Sequence, residues 1–158
     1  MLKDSKKRNM FIWVTFIVYA IVMAYFLFFR HSIDVGGTYW ENLSININIV
    51  PFCTIKQNLY LILKQSNPYL VPYAIINLLG NIIGFIPFGI LLPLLLKQAK
   101  QFKKFFLYAI SCIILIELIQ LFTLRGSCDI DDLILNMLGS FIGYTINYFT
   151  RLSACFSD

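Results

Sequence analysis

The chain has 158 residues, of which 59% are hydrophobic and 13% charged, with a formal net charge of +5. A soluble domain of this size carries roughly a quarter of its residues as charges, because it must cover its own core with polar surface. A self-contained soluble fold is therefore excluded, and runs as apolar as residues 10–29 match the about 20 residues that a bilayer-crossing helix needs.

The first such run, 10–29, follows Lys3, Lys6, Lys7 and Arg8 and ends against Arg30 and His31. A cleaved leader has a shorter apolar region followed by a small-residue site. Here Tyr25-Phe26-Leu27-Phe28-Phe29 simply continues the run. It reads as a retained anchor with its N-terminus in the cytoplasm. Residues 30–69 then form an outer loop with a turn at Gly36-Gly37. Within it, Asn48-Ile49-Val50-Pro51-Phe52 and Asn58-Leu59-Tyr60-Leu61-Ile62-Leu63 are apolar but too short to span. An interfacial helix or a partly re-entrant segment fits them.

The second span, 70–96, holds Asn77, Gly80, Asn81 and Gly84, with a kink expected at Pro87. Lys97, Lys100, Lys103 and Lys104 follow, so this end belongs inside. The third span, 105–124, returns outward, a short loop covers 125–131, and the fourth span is 132–149, with Arg151 beyond it. On this topology nine of the thirteen basic residues are cytoplasmic, and only Arg30, Lys56, Lys64 and Arg125 lie outside. The expectation is one all-α domain over 1–158: a polytopic four-helix transmembrane bundle with both ends cytoplasmic. An extracellular loop or interfacial helix separates its first two spans.

The basic clusters suit anionic headgroups. Nucleic-acid binding is not expected, since no basic stripe with interleaved aromatics extends from either cluster. Cys53, Cys112, Cys128 and Cys155 show no CxxC spacing. Cys112 reads as a packing residue, while Cys53 and Cys128 share the outer face, which leaves a disulfide open. With one histidine and no Gly-rich phosphate loop or HExxH, neither metal nor cofactor is expected.

Polar residues within spans carry the functional information, because each is costly in lipid. Glu117 and Gln120 are three apart on the third span; Asp132, Asn136, Gly139 and Gly143 form one stripe of the fourth; Asn77, Asn81 and Gly84 share a face of the second. All the polar members fall toward the outer half. They predict an outward-opening polar pocket lined by Asn77, Asn81, Glu117, Gln120, Asp132 and Asn136, with Arg125 and Asp129 at the rim. Each has a structural alternative. Glu117 could pair with Arg125 or an asparagine merely to fix helix contacts, and the amides could be interhelical adhesive. Gly80/Gly84 and Gly139/Gly143 are small-xxx-small pairs that close packing explains. Asp131 or Asp132 suits the cap of the last helix, which leaves Asp129 without such a role.

Three blocks resemble the VanZ-like family, named for a bacterial teicoplanin-resistance protein. They are Asn48-Ile49-Val50-Pro51-Phe52; Gly80-Asn81-Ile82-Ile83-Gly84-Phe85-Ile86-Pro87-Phe88-Gly89-Ile90-Leu91-Leu92-Pro93; and Glu117-x-x-Gln120 through Asp129-x-x-Asp132-x-x-x-Asn136-x-x-Gly139 to Gly143. The resemblance implies a protein of the bacterial cell envelope, resident in the cytoplasmic membrane and linked to glycopeptide or lipoglycopeptide tolerance. The expected function is binding of a membrane lipid, cell-wall precursor or glycopeptide by Asn81, Glu117, Gln120, Asp129, Asp132 and Asn136. A membrane-embedded hydrolase or transferase is the alternative, with Glu117 or Asp129 as general base and Arg125 stabilising developing charge. A purely structural subunit is the third reading.

Overall fold

Long runs of Leu, Ile and Phe without interior charges make helices that satisfy every backbone group internally, which is what an apolar environment demands. The computed structural model describes residues 2–28, 36–64 and 69–155. Over these the chain is all-α apart from one pair of two-residue strands. In chain order they are α1 (Leu2–Phe28), α2 (Tyr39–Ile45), β1 (Ile47–Asn48), α3 (Cys53–Lys64) and α4 (Leu70–Leu95), then a 3₁₀ turn (Lys97–Lys100), α5 (Phe102–Phe122), β2 (Cys128–Asp129) and α6 (Ile130–Cys155). The expected end of the first span at residue 29, with Arg30 and His31, lies outside the described residues.

Three helices, α1, α4 and α5, are long and apolar enough to cross a membrane. The sequence predicts a fourth, and α6 has the length at 26 residues. Its composition is diluted by Asp131, Asp132, Asn136, Ser140 and Asn147, all of which except Asp132 are buried. α4 runs unbroken through Pro87 and Pro93. Pro87 removes the donor that would serve the preceding turn, and the Tyr19 hydroxyl of α1 donates to the neighbouring Gly84 carbonyl at 2.9 Å.

The centre of the bundle is the contact of α4 with α6. A Cβ added at Gly139 would collide with the Ile82 carbonyl, one at Gly143 with that of Ile86, and one at Gly89 with that of Ser140. The two backbones touch, so glycine is required for lack of room rather than for flexibility. Lipid removes most of the hydrophobic drive between helices and leaves close packing to hold them. Gly139 and Gly143 pack as their spacing predicts. Gly80 and Gly84 do not join this seam: a Cβ at Gly80 would meet nothing beyond its own helix within 4 Å, and one at Gly84 would meet the Met23 thioether of α1.

Toward the lysine-rich end the core is apolar, built on Phe85, Phe88, Leu92, Phe105, Ala109 and Ile113. The Phe105 and Tyr144 rings lie 4.3 Å apart, and the Tyr144 hydroxyl donates to the Lys100 carbonyl at 2.9 Å, fixing the 3₁₀ turn. At the opposite end β1 and β2 pair in parallel, Ile47 with Cys128 and Asn48 with Asp129. This short ladder ties the α1–α4 connection to the α5–α6 loop.

Candidate functional site: a carboxylate clasp beside an amphiphilic cavity

Each carboxylate near the strand pair has its own task. Asp129 sits just before α6 and caps it, its Oδ1 accepting the Asp131 N–H at 2.8 Å. Its Oδ2 accepts the Thr54 hydroxyl at 2.5 Å and the Asn48 amide at 3.2 Å. Asp131 is fully buried and turns to a different helix. It accepts the N–H groups of Phe52 at 2.5 Å and Ile55 at 3.0 Å, so it caps α3 across the fold. Phe52 reaches this bond with a φ of 64°, a left-handed conformation costing on the order of 1 kcal/mol that the cap offsets. The expectation that Asp131 or Asp132 would cap the last helix is corrected here. The helix starts at Ile130 rather than at 132, and a cap must stand just outside the first turn.

Glu117 projects from α5 into the same end and is 4% exposed. Its oxygens receive the Asn136 amide and the Asp129 N–H, both at 3.4 Å. The expected asparagine contact is therefore present, whereas Arg125 is exposed. The Asn136 side-chain oxygen, Oδ1, is buried without a partner. Among the described residues no three His, Cys, Asp or Glu side chains converge to hold a metal. Cys53, Cys112 and Cys128 are free thiols. Burial pushes the Cys128 thiol up, and the carboxyl groups of Glu117 and Asp129 add to the effect.

Asp132 points the other way. Its Oδ1 accepts the Asn81 amide of α4 at 2.5 Å, and both residues line a cavity of about 510 Å³ between α1, α4 and the α5–α6 loop. Asn77, Gln120 and Arg125 line it too. Gln120 donates to the Leu27 carbonyl at 3.0 Å, holding the end of α1. Asn77 accepts from the buried Asn58 at 2.9 Å, holding α3 to α4.

The predicted pocket residues therefore divide. Asn77, Asn81, Gln120, Arg125 and Asp132 share the large cavity, while Glu117 and Asp129 border a separate space of about 90 Å³ and the buried Asn136 lines neither. The physical reason is angular. Residues three apart on a helix differ by about 60° in direction, enough for Gln120 to face α1 while Glu117 faces α6. Thr54, Asn58 and the α1 wall at Tyr19 were not foreseen. A hydroxyl in the apolar run 10–29 was the one available signal for Tyr19.

The cavity is lined by both polar and apolar groups. From Tyr73 to Pro87 it follows α4 for about 21 Å at 1.5 Å per residue. Arg125, Ser127, Gln120, Asn81 and Asp132 supply its polar groups, while Phe26, Leu27, Tyr73 and Ile76 toward the loop end and Val22, Met23 and Pro87 at the far end supply its apolar walls.

These features define a small all-α membrane protein whose helix connections are clasped by buried carboxylates beside an amphiphilic cavity. The VanZ/LLP1 family model matches residues 16–151, and the chain belongs to that family. Protein VanZ of Enterococcus faecium is 39% identical over 68 residues, an alignment covering 42% of this chain and 41% of that protein. The chain thus matches less than half the length of this relative. No solved structure matches.

Proposed function

We propose that this protein crosses the bacterial cytoplasmic membrane four times, with both ends in the cytoplasm, and holds an amphiphilic envelope molecule in the cavity beside Asn81 and Asp132. The molecule is an envelope lipid, a cell-wall precursor or a glycopeptide. By holding it at the outer surface the protein contributes to teicoplanin-type tolerance.

The fourth crossing is supported by the two-sidedness of α6. Its polar side chains at 136, 140 and 147 are buried, while Leu138, Phe141, Ile142, Ile146 and Phe149 are exposed. A helix of 26 residues is about 39 Å long, enough for a bilayer core. The orientation rests on Lys97, Lys100, Lys103 and Lys104, exposed together at one end of the bundle.

The observation that carries the binding reading is the mixed lining of the cavity, polar at Asn77, Asn81, Gln120, Arg125 and Asp132 and apolar at Val22, Met23 and Pro87. Its volume falls within the range of small-molecule sites. A hydrolase or transferase using Glu117 or Asp129 is less well supported. Both Asp129 oxygens are occupied by structural donors, and Glu117 is enclosed away from the large cavity.

The test is native mass spectrometry of the full chain released from lipid nanodiscs. The wild type is expected to retain an amphiphile, with about tenfold less retained by Asn81→Ala and Asp132→Ala, the scale of one charge-assisted contact. Equal retention by all three proteins would overturn the reading.

A further inference from the structure

The chemistry of the cavity's polar end specifies the sign of charge on its occupant. Asp132 receives one hydrogen bond, from Asn81, and no basic side chain contacts it among the described residues. The amide orientations follow from their partners. A carboxylate only accepts, so Asn81 must give Asp132 its NH₂ and keep its carbonyl oxygen for another donor. A backbone carbonyl only accepts, so Gln120 must give Leu27 its NH₂ and likewise keeps its carbonyl. Two amide oxygens and a carboxylate oxygen thus remain as acceptors near the head of the cavity. Asn77 is the opposite case: its oxygen is taken by Asn58, which leaves its NH₂ as a donor.

The local charge agrees. Glu117, Asp129, Asp131 and Asp132 all belong to this end of the bundle, and Arg125, exposed, is the one basic residue lining the cavity among the described residues. The net charge of +5 is carried largely by lysines at the opposite end. An anionic head alone would meet the Asp132 carboxylate, and a carboxylate facing an apolar-walled space needs a cation or a donor.

We infer that the cavity takes an amphiphile with a primary ammonium head, an aminophospholipid, seated with its ammonium on Asp132, Asn81 and Gln120 and its phosphate toward Arg125. An ammonium offers three N–H donors to the three acceptors. A guanidinium at the mouth suits the phosphate of the same head. The apolar far end, walled by Val22, Met23 and Pro87, receives part of an acyl chain. A quaternary ammonium carries the charge but no donor and would satisfy none of the acceptors.

This inference rests on the binding reading above, and the experiment separates the two. Full-length protein is reconstituted in nanodiscs with equal parts phosphatidylethanolamine, phosphatidylglycerol, phosphatidylcholine and N-acylated phosphatidylethanolamine, and the retained lipid is identified by native mass spectrometry. Phosphatidylethanolamine is expected to be enriched roughly tenfold over each of the others, the scale of one charge-assisted hydrogen bond. Asp132→Asn, isosteric and uncharged, should abolish that preference. Arg125→Gln, at an exposed position, should lower retention of phosphate lipids while keeping the preference for the amine. The N-acylated lipid removes the ammonium without touching the protein, so the test stands even if Asp132→Asn fails to fold. Retention of phosphatidylglycerol or the N-acylated lipid equal to phosphatidylethanolamine would overturn the inference and leave the binding reading intact. An empty protein in every mixture overturns both.

Discussion

α4 has two faces that are built oppositely. Toward α6 it is closed, with backbone against backbone at Gly89, Gly139 and Gly143. Toward α1 it is open, bridged by the Tyr19–Gly84 hydrogen bond and the Met23 contact, with a cavity of about 510 Å³ alongside. No side chain of α1 is fully buried among those described. A bundle in lipid gains little from burying apolar area as such, so helices separate unless fit or hydrogen bonds hold them. The closed face therefore supplies the rigidity, and the open face supplies the space. Asn81 and Asp132 join them, because Asp132 is anchored on the rigid side and presented to the open one.

The largest expected effect comes from breaking the closed face. Gly139→Ala puts a methyl group onto the Ile82 carbonyl, where neither backbone can yield without separating the helices. It should cost about 3 kcal/mol or more, as severe overpacking does. Gly80→Ala on the open face meets only its own Ile76 at 4.0 Å and should stay within about 0.5 kcal/mol. Thermal unfolding of both variants in one detergent measures the contrast. Similar shifts for the two would remove the distinction between the faces.

A smaller effect tests the open face. Tyr19→Phe deletes the hydroxyl that bonds the Gly84 carbonyl and should cost about 0.6 to 1 kcal/mol, the usual worth of an interhelical polar contact. It should also loosen α1 without disturbing the seam. Cross-linking between cysteines placed on α1 and α4 should slow, while a pair across α4 and α6 stays unchanged. Loss of the second cross-link would mean that α1 supports the seam.

These contrasts also mark what the sequence discloses. α4 and α5 are found within three residues of the expected 70–96 and 105–124, because long apolar runs flanked by lysines leave few alternatives. Gly139 and Gly143 are legible from their spacing. Gly89 is not, since it lies four residues from Phe85 rather than from another small residue and its demand comes from the Ser140 and Tyr144 backbone across the seam. Period alone cannot say which neighbour a helix face meets, so the three-residue spacing of Glu117 and Gln120 predicts one pocket where the structure has two. The roles of Asp129 and Asp131 depend on where α6 begins, and two residues of error there exchanges their capping duties. The α1 wall is hidden for a different reason. Lipid-facing and cavity-facing positions are both apolar, so composition does not separate them.

The smallest expected effect lies outside both faces, in α2, and serves as their control. Thr38 and Glu41 form a capping box, with the Thr38 N–H donating to Glu41 Oε2 at 2.7 Å and the Glu41 N–H to the Thr38 hydroxyl at 3.3 Å. The Thr38 N–H, and then its side chain, hold the Glu41 carboxyl below its usual 4.5. A depressed folded value means that the contribution is complete above the ordinary glutamate range and is lost as pH falls through the folded value. Hydrogen exchange at the α2 amides, corrected for its intrinsic pH dependence, should therefore speed up as the pH falls below the ordinary glutamate value of 4.5. Glu41→Gln keeps a capping oxygen but no titratable proton, and its profile should be flat across that window. Since α2 has seven residues and meets α5 through the Tyr39 hydroxyl on the Phe122 carbonyl, the loss should stay local. The α4–α6 cross-link should persist over the same acidification. An α2 profile that follows pH equally in wild type and Glu41→Gln would assign the acid response to the carboxylate clasp instead, and so to the end of the bundle where the two faces of α4 are joined.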